Sequence, residues 1–281
     1  MPELPEVETM RRGILPILGS QIRGVSRMRC RLKPIAITPS LASFRKRVTG
    51  KKIAGIGRVG KRVVLQLNSE DRIVLEPRMT GLVLLADPPN REHCRLRIDL
   101  KGAGPSELLY WDRRGLGSVR LFSPAEFDRH FGPDNIGPDA LEISADGLRQ
   151  RLEKSNRAIK VALLDQKVVA GIGNLYASEI LHLANIHPLQ SCRQLRRGDW
   201  SKLQTAMVEV LEAAIACEGS TLADGTYRNA LNQAGSYQNY HRVYDRAGDA
   251  CRRCQGKIVR IVQSQRSTFY CPMCQRKRNT P

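Results

Sequence analysis

Residues Cys94-Arg95-Leu96-Arg97-Ile98-Asp99-Leu100 alternate apolar and polar side chains without a break. A period of two belongs to a half-buried β-strand, whose successive side chains point to opposite faces. Outward from it, Arg62 to Leu67, Arg72 to Leu75 and Leu82 to Leu85 read as further strands, with breaks supplied by Glu76-Pro77-Arg78-Met79-Thr80-Gly81 and by Leu84 to Glu92. Residues 20 to 122 are thus β-rich, and several short strands with turn signals predict a sandwich. Ahead of them, Val7, Met10, Arg11 and Ile14 recur at helical spacing. Pro5, Glu6 and Glu8 suit a helix start, where proline loses no hydrogen bond and acids meet the positive dipole end. A helix beginning near Pro5 should flank the strands.

Past the strands, Gly132-Pro133 and Ile136-Gly137-Pro138 mark a linker near 130 to 140. From about Ser144 to Glu218 the pattern turns helical, with apolar stripes at Leu148, Leu152, Ile159, Leu163 and Leu164. Gly171-Ile172-Gly173-Asn174 precedes another helix, which Asn174 is placed to cap; exposed N–H groups at such a turn also suit a phosphate. Gly219 to Tyr240 is rich in Gly, Ser, Thr, Asn and Gln and shows little periodicity, so it is a disordered connector or a long functional loop. The class is α+β, and the length predicts a division into two domains.

Forty-six Lys and Arg oppose twenty-seven Asp and Glu in 281 residues, a net charge of +19 and a pI near 10.1. Such an excess is the footprint of a polyanion partner, nucleic acid ahead of anionic membrane. The acidic, proline-bearing amino terminus is no signal segment, and no run of about 18 apolar residues occurs, so a cytoplasmic protein without a membrane partner is expected. Cys30, Cys94, Cys192 and Cys217 lack paired spacing and read as core or semi-buried thiols.

The remaining four cysteines carry the strongest chemical signal. Cys251-Arg252-Arg253-Cys254 and Cys271-Pro272-Met273-Cys274 are two CxxC knuckles sixteen residues apart, the spacing of a four-cysteine zinc ribbon. Four thiolates close the tetrahedron around Zn²⁺, so the one ion expected is structural. Between the knuckles, Lys257 to Gln263 and Ser267 to Tyr270 read as strands joined near Gln265-Arg266, with Arg266 at the hairpin tip. Residues 251 to 281 hold eight Lys or Arg and no acid, a composition suited to a phosphate backbone.

The chain opens Met1-Pro2-Glu3-Leu4-Pro5-Glu6-Val7-Glu8. Helix-start chemistry accounts for Pro5 onward but not for Pro2-Glu3. If Met1 is removed, Pro2 presents a secondary amine, a nucleophile able to form a Schiff base with a sugar carbon. Such an α-amine titrates near 8, so part of it is free to attack at neutral pH.

With this start, Gly60-Lys61, the Met79 segment, the GIGN turn and the terminal zinc ribbon in order, the chain closely resembles the formamidopyrimidine-DNA glycosylase family over essentially its whole length. That resemblance implies a β-sandwich with flanking helices (1–132), a helix-two-turn-helix domain with a lesion-recognition loop (133–240) and a zinc finger (241–281), holding damaged double-stranded DNA in a cleft between them. It implies a bacterial, monomeric repair enzyme that removes oxidised purines. Pro2 would attack the anomeric carbon, with Glu3 as acid and base and Glu6 helping to position the site. An iminium would link enzyme to DNA, and β- then δ-elimination would leave a one-nucleotide gap. Lys61 corresponds to a phosphate contact assisting elimination, and Arg266 to the finger arginine that grips phosphates around the lesion and is associated with the last elimination. Asn174 corresponds to a phosphate-binding asparagine, with Asn156, Lys160 and His93 as further DNA contacts. Met79 and Leu116 would fill and wedge the gap left by the everted base, and Arg114 would read the opposite cytosine.

The sequence departs from that family at two places. Leu116 stands where an aromatic wedge is usual, which keeps the wedge but weakens stacking. Arg91-Glu92-His93 has one histidine where two are common. Two rival readings are an endonuclease VIII-like enzyme for oxidised pyrimidines and a zinc-ribbon DNA-binding protein without catalysis. The PELPEVE start and the polar 219–240 stretch weigh against the first, and the presence of Pro2, Glu3 and Lys61 against the second.

Overall fold

The computed structural model describes residues 2–278. Met1, whose removal frees the Pro2 amine, lies outside the described residues. The chain groups into two compact units, Met1–Gly132 with Ile215–Gln238, and Pro133–Ala214 with Asn239–Pro281. Most of the polar 219–240 stretch, read from sequence with the helical domain, thus groups with the strands.

In the first unit the order is α1 (Leu4–Gly13), β1 (Gln21–Arg27), β2 (Ala36–Thr38), α2 (Leu41–Val48), β3 (Ile53–Val59), β4 (Arg62–Leu67), β5 (Arg72–Glu76), β6 (Gly81–Leu84), β7 (Cys94–Lys101), β8 (Glu107–Asp112), β9 (Ser118–Phe122) and α3 (Pro124–Phe131). One sheet runs β1-β7-β8-β6 and the other β2-β9-β5-β4-β3. All pairs are antiparallel except β2 with β9. Ile22, Leu96 and Ile98 from one sheet share a single apolar core with Leu65, Ile73 and Val119 from the other. Val7, Met10 and Ile14 of α1 join that core, each contributing about 1.5–3 kcal/mol by burial. The helix starts at Leu4 with Glu3 as its cap residue: Glu6 Oε2 accepts the Glu3 backbone N–H at 2.9 Å, the return half of a capping box, which corrects the reading that helix-start chemistry leaves Glu3 unaccounted for.

The strand 94–100 has one exception to its alternation. Arg95 is buried on β7, its Nε donating to the Asp112 carbonyl at 2.7 Å and its Nη2 to the Arg113 carbonyl at 3.2 Å.

The second unit contains α4 (Ala145–Leu152), α5 (Ile159–Leu163), α6 (Asn174–Leu183), most of α7 (Arg197–Ala216), and the hairpin β10 (Val259–Gln263) and β11 (Arg266–Tyr270). Ser144 caps α4 by accepting from Gly147 N at 3.0 Å. The turn before α6 is tied by Gln166, whose amide donates to the Ile172 carbonyl at 2.9 Å and accepts from Gly171 N at 3.0 Å. Gly173, in extended conformation, occupies the cap position of α6, and Asn174 is the first helical residue. The expectation that Asn174 caps this helix is corrected accordingly. The hairpin turn is Ser264-Gln265, both with positive φ, as in a type I′ turn. Arg266 therefore opens β11 beside the turn instead of forming its tip. Among the described residues no helix is long and apolar enough to cross a membrane.

Candidate active site and DNA contacts

Pro2, Glu3 and Glu6 come together at the amino end of α1, and all three are buried. Glu6 works with both oxygens: Oε2 on Glu3 N, and Oε1 accepting from Ser220 N at 2.9 Å. The 219–240 segment is thereby fastened to the helix start, which identifies it as a built loop and not a loose connector. Tyr227 reinforces the fastening, its hydroxyl donating to the Glu218 carbonyl at 2.9 Å. Burial and the nearby Glu6 charge raise the Tyr227 phenol well above its ordinary value, so it stays a proton donor. Gly219 between them has φ +82°, and a Cβ there would lie 2.9 Å from Glu6 Cγ, so no other residue fits without displacement.

Lys61 lies in the two-residue turn between β3 and β4, after Gly60 with φ +53°. A glycine first in such a turn suits the twist of the hairpin. The turn is braced from behind. Arg58 Nε donates to Glu8 Oε2 at 3.2 Å and Arg58 Nη1 to the Gly60 carbonyl at 2.9 Å, a chain from α1 to the residue before Lys61. Arg11 and Arg12 also bond Glu8, at 2.8 Å each. Burial pushes the Glu8 carboxyl up, but the hydrogen bonds from Arg11 and Arg12 and the fields of Arg11 and Arg58 outweigh it, leaving the group at about 2. In the sequence Glu8 reads only as a helix-start acid and Arg58 carries no signal, because nothing local links residues fifty positions apart.

Met79 and Leu116 are each 37% exposed, and Arg114 is exposed. Their two loops are joined by groups not singled out from sequence. Asp112, wholly buried, accepts from the Thr80 hydroxyl at 2.6 Å, from Arg114 N at 3.2 Å and from Gly117 N at 2.8 Å. Thr80 Oγ1 in turn accepts from Arg114 N at 3.0 Å. The three protruding side chains thus stand on one buried carboxylate–hydroxyl pair. His93 is half-buried, packed edge-on against Trp111 at 5.4 Å, and its carbonyl accepts from Asp112 N at 2.9 Å.

In the second unit Lys160, expected as a DNA contact, is buried. Its Nζ donates to Asn174 Oδ1 at 2.6 Å, Thr268 Oγ1 at 2.7 Å and the Ser267 carbonyl at 3.1 Å. Asn174 Nδ2 donates to that same carbonyl at 2.9 Å. These bonds lock the turn before α6 onto the strand that Arg266 begins, and Arg266 itself is exposed. Asn156 is exposed and accepts from Arg193 Nη1 at 3.0 Å, outside this cluster. Another unforeseen brace is Glu179, fully buried on α6, whose carboxylate accepts from the backbone N–H groups of Arg242, Val243 and Tyr244 at 2.7–2.9 Å.

Cys251, Cys254, Cys271 and Cys274 place their sulfurs within 4.8 Å of one another. The Cys251–Cys274 and Cys254–Cys271 sulfurs are 3.9 and 3.4 Å apart. A tetrahedron with Zn–S bonds of about 2.3 Å has edges of roughly 3.8 Å, so the donor set and its spacing fit zinc. Around the cluster, among the described residues, Val243, Ile258 and Phe269, with Tyr244 partly buried, add apolar packing. In a core this small, a metal bound by the four sulfurs would add to the folding of the module.

Comparisons with known proteins agree along the chain. The family model "Formamidopyrimidine-DNA glycosylase N-terminal domain" matches residues 1–119, "Formamidopyrimidine-DNA glycosylase H2TH domain" 133–225, and "Zinc finger found in FPG and IleRS" 248–276. The chain is 40% identical to the formamidopyrimidine-DNA glycosylase of Chloroflexus aurantiacus, covering 98% of each chain, and 36% identical to that of Lactococcus lactis subsp. lactis, covering 99% of this chain and 100% of the relative. Its fold superposes on Lactococcus lactis Fpg in complex with abasic-site DNA with a TM-score of 0.86 at 34% identity, and on MutM in complex with DNA containing carbocyclic 8-oxo-G with 0.85 at 33%. Each match covers 98% of this chain and all of the other. With sandwich, helical turn and cysteine cluster matched in order and nearly end to end, the chain belongs to the formamidopyrimidine-DNA glycosylase family, bifunctional DNA glycosylases and abasic-site lyases of base-excision repair.

Proposed function

We propose that this protein excises oxidised purines, 8-oxoguanine and formamidopyrimidines, from double-stranded DNA and cleaves the resulting abasic site. The observation that carries this reading is the convergence of Pro2, Glu3 and Glu6 at one buried helix start, fastened to the 219–240 loop. Once Met1 is removed, the Pro2 nitrogen attacks C1′ of the damaged nucleotide. Glu3 handles the protons as the base leaves and the sugar ring opens, giving an iminium between Pro2 and the deoxyribose. That cation acidifies the adjacent C2′ hydrogens. β-Elimination expels the 3′ phosphate and δ-elimination the 5′ phosphate, with Lys61 and Arg266 on the phosphates. Met79 and Leu116 occupy the space left by the everted base, Arg114 faces the opposite strand, and the 219–240 loop meets the lesion through its backbone. Asn174, Asn156 and His93 serve phosphate contact, while Lys160 acts through Asn174 and Ser267.

One structural Zn²⁺ on the four cysteines orders the hairpin. The net charge of +19 supplies the long-range attraction to DNA. The protein acts as a monomer in the cytoplasm. Borohydride should trap wild-type protein on duplex DNA carrying 8-oxoguanine opposite cytosine, and Pro2→Gly should trap far less. Equal trapping by both would end the assignment of Pro2 as nucleophile.

A further inference from the structure

Helix α6 finishes beside the cysteine cluster. His182, in its last turn, is fully buried, and its Nε2 lies 3.5 Å from Cys251 Sγ. Cys251 is also fully buried, so water does not serve that sulfur. The other ring nitrogen, Nδ1, is buried and has no hydrogen-bond partner among the described residues. The two places for a ring proton are therefore unequal. On Nδ1 it would be a donor sealed away from any acceptor, and the Nε2 lone pair would face an electron-rich sulfur. On Nε2 it is satisfied by that sulfur. The end of α6 that carries the ring is tied to the finger on either side of it: Arg253 Nη1 donates to the His182 carbonyl at 3.2 Å, and Glu179, one turn back, binds the backbone of residues 242–244.

We propose that His182 donates an Nε2–H···Sγ hydrogen bond to Cys251 and thereby retains the metal in the cluster. This rests on the reading that the four cysteines bind zinc. Four thiolates concentrate more negative charge than Zn²⁺ neutralises. A donor aimed at one sulfur draws off part of that excess and fixes the sulfur's position. Partners outside the ligand set commonly alter metal retention in this way. His182 is a positioning residue: it touches a ligand and neither metal nor DNA. It also makes the carboxyl end of α6 a third point at which that helix grips the finger, after Asn174 on the Ser267 carbonyl and Glu179 on the backbone of 242–244.

The test uses the full-length protein. Elemental analysis showing no zinc would remove the reading beneath the proposal, separately from any role of His182. In zinc-loaded wild type, long-range proton–nitrogen spectra of the histidine rings should place the His182 proton on Nε2; a proton on Nδ1 overturns the proposal. His182→Leu, which keeps bulk but removes the donor, should release zinc to a chromogenic chelator about 10–100-fold faster. His182→Gln, whose amide can donate to the same sulfur, should recover most of that loss. Release from the leucine variant at the wild-type rate overturns the proposal. Should that variant fail to fold by circular dichroism, the wild-type ring spectrum alone decides, with the proton on Nε2 supporting the hydrogen bond and the proton on Nδ1 ending it.

Discussion

Glu8 and Arg58 meet at 3.2 Å, and Arg58 reaches on to the Gly60 carbonyl at 2.9 Å, so the helix that begins behind Pro2 and the turn that carries Lys61 are one braced piece. Glu8→Gln keeps the shape and removes the charge. The carboxyl sits at about 2 against an ordinary 4.5, so its contribution is full above pH 4.5 and is lost as pH falls toward 2. The variant should be about 1–3 kcal/mol less stable to urea at pH 7, with the gap closing on acidification through that window. A gap as wide at about pH 2.5 as at pH 7 contradicts the account. Because Arg58 is then less firmly held, elimination should slow more than base release.

Asp112 is wholly buried and holds the backbone N–H groups of Arg114 and Gly117, on either side of Leu116. In Asp112→Asn one oxygen becomes a donor, and either Gly117 N or the Arg114–Thr80 pair loses its acceptor, at about 1–3 kcal/mol. Single-turnover excision of 8-oxoguanine should lose roughly tenfold of its discrimination between opposite cytosine and opposite adenine. Unchanged discrimination would detach this carboxylate from opposite-strand reading.

Lys160 and Arg266 should part company in a salt titration. Arg266→Ala removes a phosphate contact and should lower the slope of log affinity against log salt by about 0.9. Lys160→Met removes no such contact but orphans acceptors on Asn174, Ser267 and Thr268. It should lower stability by about 2–4 kcal/mol and weaken DNA binding with the slope nearly intact. A slope change equal to that of Arg266→Ala would place Lys160 on the DNA.

Cys254→Ser should release the metal and lower affinity for duplex DNA by roughly tenfold or more, since the finger's fold is coupled to its ion. Zinc content and fluorescence anisotropy measure the two effects. Metal loss with full affinity would remove the finger from DNA binding.

What is legible in the chain and what is not divide along sequence distance. The alternation at 94–100, the helix after Pro5 and the CxxC pairs are local patterns, and each appears as an element or cluster of the fold. Arg95, by contrast, breaks its own alternation because two carbonyls at 112 and 113 accept from it. Asn174 reads as a cap because the residue type favours one, yet its amide is taken by Ser267, 93 positions away. Lys160 reads as one more cation for phosphate, but Thr268 and Asn174 enclose it. Asp112, Glu179, Arg58 and His182 give no signal, since what matters about each is a partner that only folding supplies. The 219–240 segment is ambiguous in sequence for the same reason: its order depends on Glu6 at the far end of the chain.

The divided carboxylate of Glu6 has a mechanical outcome. One oxygen secures the first turn of α1 and the other the start of the loop. Removing that carboxylate takes away the acceptor of the Glu3 N–H and the acceptor of the Ser220 N–H in one step. A single side chain thus ties together two stretches of backbone that lie 214 positions apart.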